Sequence, residues 1–423
     1  MSARTRSVAT AAGVLLALSL ACARQEAASL PQGAPDLLLA NVTVIDGGVG
    51  PPRPGQTIEV RAGRITVLRA TAPDDRPTLD AAGAFVTPGL IDSHVHLDPR
   101  DTDAVRARLD SMLRRGITSI REMACCAPDY AKLTAGPDSA SFPRVYSSAF
   151  WAGPTFMRDD PRIEGFAGVG KVPWLLAVAD STDLAGALRG ARESGATGIK
   201  IYSDLSPPLV REIATSARGA GMRVWSHTTV FPVRPSEVAD ADIDVVSHAA
   251  LLVWEGAATL PSRYDGPHPF NPFGPPAPYT SVAPSDPRVL AVLATIKRRG
   301  LILDPTVAVI GRAVGAAAAR WTVQVTKSAH EMGIPLTVGT DGVSIFDEME
   351  TLVDSVGLTP REVLRSATLV GAAAIGVASA LGTIEVGKVA DLVVYRTDPT
   401  ADIRALRTPA HVIRGGRLVG APR

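Results

Sequence analysis

From Val86 to about Ala380 the chain alternates short apolar runs with longer stretches whose apolar residues recur every three or four positions. The short runs are LIDSHVH, ITSIREM, RVYSSAFW, GIKIYS, RVWSHT, DVVSHA, LILDPTV and PLTVGTD. Each has the length and character of a buried strand. The stretches between them predict helices. In SPPLVREIATSARGAG, Ser206 is placed to cap, Pro207 suits the first turn, and Leu209, Val210, Ile213 and Ala217 supply the helical period. Eight strands alternating with helices predict an α/β fold, a (β/α)8 TIM barrel over residues 86–380.

Both flanks change texture. DLLLANVTVID and QTIEVRAGRITVLRA precede the barrel, with a turn at Ala62-Gly63, and GTIEVGKVADLVVYRTD and AHVIRGGRLVG follow it. These read as short strands joined at glycine turns. Neither end makes a complete sheet alone, so residues 30–85 and 381–423 are expected to form one small β-sandwich domain together.

The first residues, 1–23, carry Arg4 and Arg6, then an apolar segment from Val8 to Ala21, then small residues around Cys22. That is the layout of an export signal, and it is short for a membrane span. Leu20 and Ala21 before Cys22 suit a lipoprotein signal with a lipid anchor on that cysteine. Ser19 stands where such signals usually carry leucine, and cleavage after Ala23 is the other reading. The expected location is outside the cytoplasm: periplasmic, secreted or lipid-anchored at Cys22.

Charge narrows the partners. The net charge is +1 with both signs interspersed, which gives no basic tract for nucleic acid and no membrane contact beyond an anchor at Cys22. A homo-oligomer stays open. Past the signal only Cys125 and Cys126 remain among 3 cysteines. Adjacent cysteines could join only in a strained ring, so no disulfide framework is expected. They read as two semi-buried thiols near a strand end, without a catalytic role.

The polar residues within the predicted strands carry the chemistry. His94 and His96 end the first strand on one face, Lys200 lies in the fourth, His227 ends the fifth, His248 the sixth and Asp341 the eighth. In such barrels the C-terminal strand ends build the active site. Six candidate ligands from five strands therefore converge on one mouth. His330 and His411, in a helix and in the tail sheet, read as structural.

These segments resemble the amidohydrolase superfamily of metal-dependent hydrolases, in particular members similar to imidazolonepropionase and to the binuclear Xaa-Pro and Xaa-Arg dipeptidases. TPGLIDSHVHLD resembles the first-strand signature, GATGIKIY the lysine strand, VWSHT and VVSHA the later histidine strands, LTVGTDG the aspartate strand, and GTIEVGKVADLVVYRTDP the tail. The resemblance implies two divalent metal ions, expected to be Zn, bridged by a CO2-derived carbamate on Lys200. His94, His96 and Asp341 would complete one site, and His227 and His248 the other. Imidazole and carboxylate suit Zn²⁺, and two cations need an anionic bridge. Burial that lowers the lysine pKa would favour the neutral amine that carbamate formation needs. The implied reaction is attack by a water shared between the metals on a carbonyl carbon, with Asp341 as the catalytic proton acceptor.

The substrate is less legible. Tyr202 shares a strand face with Lys200, so its hydroxyl would bind a substrate carboxylate or the oxyanion, unless its ring simply packs in the barrel. The proline-rich segment 256–287 is long for a barrel connection; as a lid it would bring Arg263, Tyr264 and His268 to the substrate, and a plain solvated insertion is the other reading. Glu122 stands where many relatives carry aspartate, so that wall is expected to differ. The leading expectation is an amidohydrolase cleaving an amide or peptide bond of a dipeptide or N-acyl amino acid. Opening of a cyclic amide, lactone or (phospho)ester is the alternative, and a non-catalytic exported metal- or ligand-binding protein is a third.

Overall fold

The computed structural model describes residues 36–48, 50–70, 79, 81, 83–135, 140–264 and 276–420. The expected signal at 1–23, with Cys22, and His268 lie outside the described residues. No helix among the described residues is long and apolar enough to cross a membrane.

Among the described residues sixteen strands follow in chain order. β1 (Leu37–Val44), β2 (Arg53–Arg61), β3 (Arg64–Arg69) and β4 (Phe85–Pro88) open the fold. Then come β5 (Leu90–Val95), β6 (Ile117–Glu122), β7 (Arg144–Ala152), the hairpin β8 (Lys171–Val172) and β9 (Leu175–Ala177), β10 (Gly198–Ile201), β11 (Arg223–His227), β12 (Val245–Ser247) and β13 (Ile302–Asp304). The chain finishes with β14 (Leu392–Tyr395), β15 (His411–Arg414) and β16 (Arg417–Leu418).

Seven strands form a parallel sheet in the order β13-β12-β11-β10-β7-β6-β5. Their side chains are almost all buried on both faces, as the unbroken apolar runs required. The predicted eighth strand, PLTVGTD, is irregular, yet it fills the gap between the two ends of the sheet. Leu303 N–H donates to the Pro335 carbonyl at 2.9 Å and Thr337 N–H to the Leu303 carbonyl at 3.0 Å. On the other side Ser93 N–H reaches the Val338 carbonyl, and Asp341 N–H the His94 carbonyl, each at 2.8 Å. Gly339 explains the close seam: a Cβ there would lie 2.1 Å from Asp304 Oδ1 and 2.7 Å from the His94 Cβ. The helix predicted after β10 spans Pro207–Gly219, capped by the Ser206 side chain, and buries Leu209, Val210, Ile213, Ala214 and Ala217.

The chain ends share a second sheet, ordered β16-β15-β14-β4-β1-β2-β3. β14 lies antiparallel to β4, so residues from opposite ends of the chain pair directly. Leu39, Val42, Ile58, Val60, Val86, Leu392 and Ile413 make its separate apolar core. β4 runs into β5 across Gly89 alone, and this ties the sheet to the first strand of the barrel.

One expectation needs correction. Cys125 and Cys126 are not two thiols but are joined to each other by a disulfide, and both are buried. Cys126 has φ 70° and starts the turn into the helix Ala127–Leu133. Glu122 holds the same turn by accepting N–H bonds from Leu97, Ala124 and Cys125. This turn brings the two sulfurs to one side, which a regular strand end would not do.

Candidate active site

At the C-terminal mouth of the barrel the six strand-end residues come together. The side-chain donor atoms of His94, His248 and Asp341 all lie within 4.8 Å of one another. His96 Nε2 is 3.0 Å from Asp341 Oδ1, and the His227 ring centroid is 4.7 Å from that of His248. Lys200, fully buried, lies close enough for its charge to act on His94, His227, His248 and Asp341.

Burial sets the protonation of this group. It lowers His94 to about 4, against the opposing pull of Asp304. It lowers His227 and His248 far below the ordinary histidine value, helped by the cationic groups around them. All three imidazoles are therefore neutral at pH 7 and keep a lone pair for a Lewis acid. Burial opposes ionisation of Asp341, but hydrogen bonding to His96 leads the interactions that outweigh it and hold the carboxyl well below its usual range. Lys200 is lowered to about 7 by burial first and by the Arg121 charge second. Its Nζ has no hydrogen-bond partner among the described residues.

An orphaned amine at the floor of a neutral imidazole cluster is costly unless some further group answers it. The donor set fits divalent cations: imidazoles, one ionised carboxylate, and an amine poised near neutrality that could be converted to an anion. Backbone strain collects at the same place. His248 (φ 70°), Thr306 (φ 50°) and Asp341 (φ 47°) adopt left-handed conformations unusual for residues other than glycine.

Beneath the ligands lies a support that sequence reasoning missed. Asp304, at the end of β13, faces His94 Nδ1 at 2.8 Å, and the same Oδ2 accepts from Arg121 Nη2 at 2.8 Å and Ser247 Oγ at 3.1 Å. Thr337 Oγ1 donates to Oδ1 at 3.2 Å. Burial works against ionisation here too, but the His94 and Arg121 interactions win and keep Asp304 an anion. It thereby favours the His94 tautomer with the proton on Nδ1, leaving Nε2 as donor. Thr306 Oγ1 faces His248 Nδ1 at 2.9 Å in the same way. The available signal was positional: Asp304 ends an apolar strand just as His248 and Asp341 do.

A cavity of about 360 Å³ opens above the cluster, floored by His96, His227, His248 and Asp341 and walled by Leu97, Phe150, Phe156, Ile163 and Phe166. Tyr202 lines it as well, with its ring 4.0 Å from His227 and 4.6 Å from Phe150. Both readings of Tyr202 thus coexist: the ring packs, and the side chain borders the cavity. Tyr264 is buried, with its ring 5.4 Å from Phe156 and its N–H donating to Asp204 Oδ1. Arg263 is exposed and does not line the cavity. Arg162, on the loop after the short helix Pro154–Asp159, does line it and was not anticipated. His330, in the helix Ala316–Glu331 with its Nε2 3.8 Å from Glu362 Oε1, and His411, in β15, do not line the cavity.

A parallel barrel here gathers histidine, lysine and aspartate side chains at its C-terminal mouth, a donor set that fits metal-assisted hydrolysis. Residues 289–419 match the model of the Amidohydrolase family. The chain is 26% identical to imidazolonepropionase of Ralstonia nicotianae over 417 residues, covering 89% of this chain and 96% of that one. It is 49% identical to N-acyl-D-aspartate deacylase of Alcaligenes xylosoxydans xylosoxydans over 65 residues, a match spanning 15% of this chain and only 13% of the deacylase. A solved structure from Bifidobacterium longum, assigned as a prolidase, superposes with a TM-score of 0.68 at 25% identity over 93% of this chain and 96% of that one. Residues 289–419 thus carry an Amidohydrolase family domain, and the relatives of the whole chain indicate a hydrolase.

Proposed function

We propose that the protein is a metal-dependent amidase that cleaves the amide bond of a small N-acyl amino acid or dipeptide. The observation that carries this reading is the buried Lys200 amine, without a hydrogen-bond partner among the described residues, set among neutral imidazoles and an ionised aspartate. His94, His96 and Asp341 would hold one divalent ion and His227 and His248 a second, with a carbamate on Lys200 between them. When bound, such a pair lowers the pKa of a water molecule and polarises a carbonyl oxygen.

The chain's own groups do the rest. Asp341, ionised and 3.0 Å from His96, takes the proton of the attacking water and returns it to the leaving nitrogen. Asp304 keeps His94 oriented. The apolar wall of Phe150 and Phe156 excludes bulk water and strengthens each electrostatic contact at the floor. The Tyr202 hydroxyl is the group best placed to meet a substrate carboxylate or the developing oxyanion. The deacylase and prolidase relatives support the choice of substrate by analogy. Residues 1–23 suggest that the enzyme works outside the cytoplasm, either free or anchored through Cys22.

The test is elemental analysis of the mature protein, combined with hydrolysis of a panel of N-acyl amino acids and Xaa-Pro and Xaa-Arg dipeptides. About two metal ions per chain with chelator-sensitive cleavage is the expected result. No tightly bound metal after zinc supplementation would overturn the reading.

A further inference from the structure

The wall of the cavity holds a cation that the reaction itself does not need. Arg162 Nε and Nη2 take Asp160 at 3.0 and 2.6 Å, and Asp160 is itself buried. The guanidinium carbon lies 5.5 Å from the Tyr202 ring centroid, 5.2 Å from that of Tyr264 and 5.9 Å from that of Phe156. A hydrogen bond also links Arg162 to the Tyr202 side chain. Even so, 36% of the arginine side chain stays accessible, and it borders the cavity. The guanidinium is thus fixed on one edge by a carboxylate and on its face by rings before any ligand arrives, so little rotamer freedom is left to lose on binding.

If Arg162 served only to fill space between rings, an apolar side chain would do the same without bringing a charge into the wall. Its five N–H groups can serve Asp160, a tyrosine hydroxyl and an incoming anion together. Leu97, Ile163 and Phe166 give that wall apolar surface beside Phe156, while Asp98 and Arg100, paired with each other at 2.7 Å, also line the cavity. Tyr202 spans the interval between Arg162 and the ligand cluster, because its ring also packs on His227.

We infer that the ligand of this cavity carries a carboxylate, received by Arg162 together with the Tyr202 hydroxyl, next to a bulky apolar side chain lying against Phe156, Ile163 and Phe166. The identity of the bond that is cut rests on the amidase reading above; the binding preference does not.

Calorimetry on the metal-loaded protein separates the two. The probes are racemic N-acetylphenylalanine, its neutral carboxamide and N-acetylglycine. The acid should bind about tenfold or more tighter than the carboxamide, the yield of a charge-assisted hydrogen bond. It should exceed N-acetylglycine by a similar factor. Arg162→Gln should abolish the first preference and keep the second, Arg162→Lys should restore part of the first, and Phe166→Ala should reduce only the second. Melting temperature and metal content are followed in every variant. Equal binding of acid and carboxamide, no binding of any probe, or an Arg162→Gln protein that keeps the acid preference each overturns the inference. The last result would mean that the metals or Arg100 take the carboxylate. Acid preference without turnover of any amide would remove the amidase reading and leave this one standing, and turnover without the preference would do the reverse.

Discussion

Asp304→Asn is the perturbation that best separates a support beneath the site from the site itself. Asp304 touches neither the cavity nor any substrate, yet four donors converge on it: His94, Arg121, Ser247 and Thr337. The substitution keeps the shape and removes the charge. Arg121, whose side chain is fully buried, would lose its only ion-pair partner among the described residues. Breaking one side of such a buried pair costs about 3–5 kcal/mol, because an uncompensated charge stays behind. His94 would also lose the anion that fixes its tautomer, which typically weakens metal binding about 10–100-fold. Denaturant unfolding of the metal-free protein measures the first effect, and competition with a chromophoric chelator the second. Adding Arg121→Met to Asp304→Asn should recover about 2 kcal/mol or more, since the stranded charge is then gone. A single variant within about 1 kcal/mol of the native protein, with unchanged metal affinity, would refute this assignment.

Three further outcomes follow from the same geometry. Lys200→Ala should lose bound metal, and bicarbonate or short carboxylic acids should partly restore activity; unchanged metal content would rule out the carbamate. In CO2-free buffer the metal-free protein should gain stability as pH rises from about 7 to 10.5, because over that window the unfolded chain holds a proton on Lys200 that the folded chain does not. Lys200→Met should flatten that slope, and a slope unchanged by the substitution would mean that the lysine is solvated. Gly339→Ala should cost metal affinity and stability together, since its Cβ would fall 2.1 Å from Asp304 Oδ1. A variant that binds metal and melts like the native protein would show that the seam can move.

What could be read from the sequence was whatever a periodic pattern exposes. His227 and His248 stood out because each interrupts an apolar run at its last residue, and strand pairing then carries that position to the barrel mouth. The β14–β4 pairing was foreshadowed by two incomplete sheets at opposite ends of the chain. Asp304 ends its strand in the same way, but an Asp-Pro pair also reads as a turn, so its position alone does not single it out. Arg121 is a charge inside the predicted strand ITSIREM, and only barrel closure decides that it lies in the interior. Arg162 lies on a loop, where no period constrains the side chain and three-dimensional packing decides what it meets. The Cys125–Cys126 bond depended on a left-handed residue that local sequence did not announce.

The irregular eighth segment links two properties that are separate in most barrels. Residues 335–341 zip the last strand to the first, and their final residue, Asp341, is also the carboxylate at the floor of the cavity. Asp92 reinforces the zip from within by accepting from the Thr340 hydroxyl at 2.9 Å and the His94 N–H at 3.1 Å. Whatever grips Asp341 and His94 therefore also grips the two sides of the seam. Amide hydrogens of Ser93, Thr337 and Asp341 should consequently exchange more slowly when the site is filled, so that the closing bond of the barrel reports occupancy without any substrate being turned over.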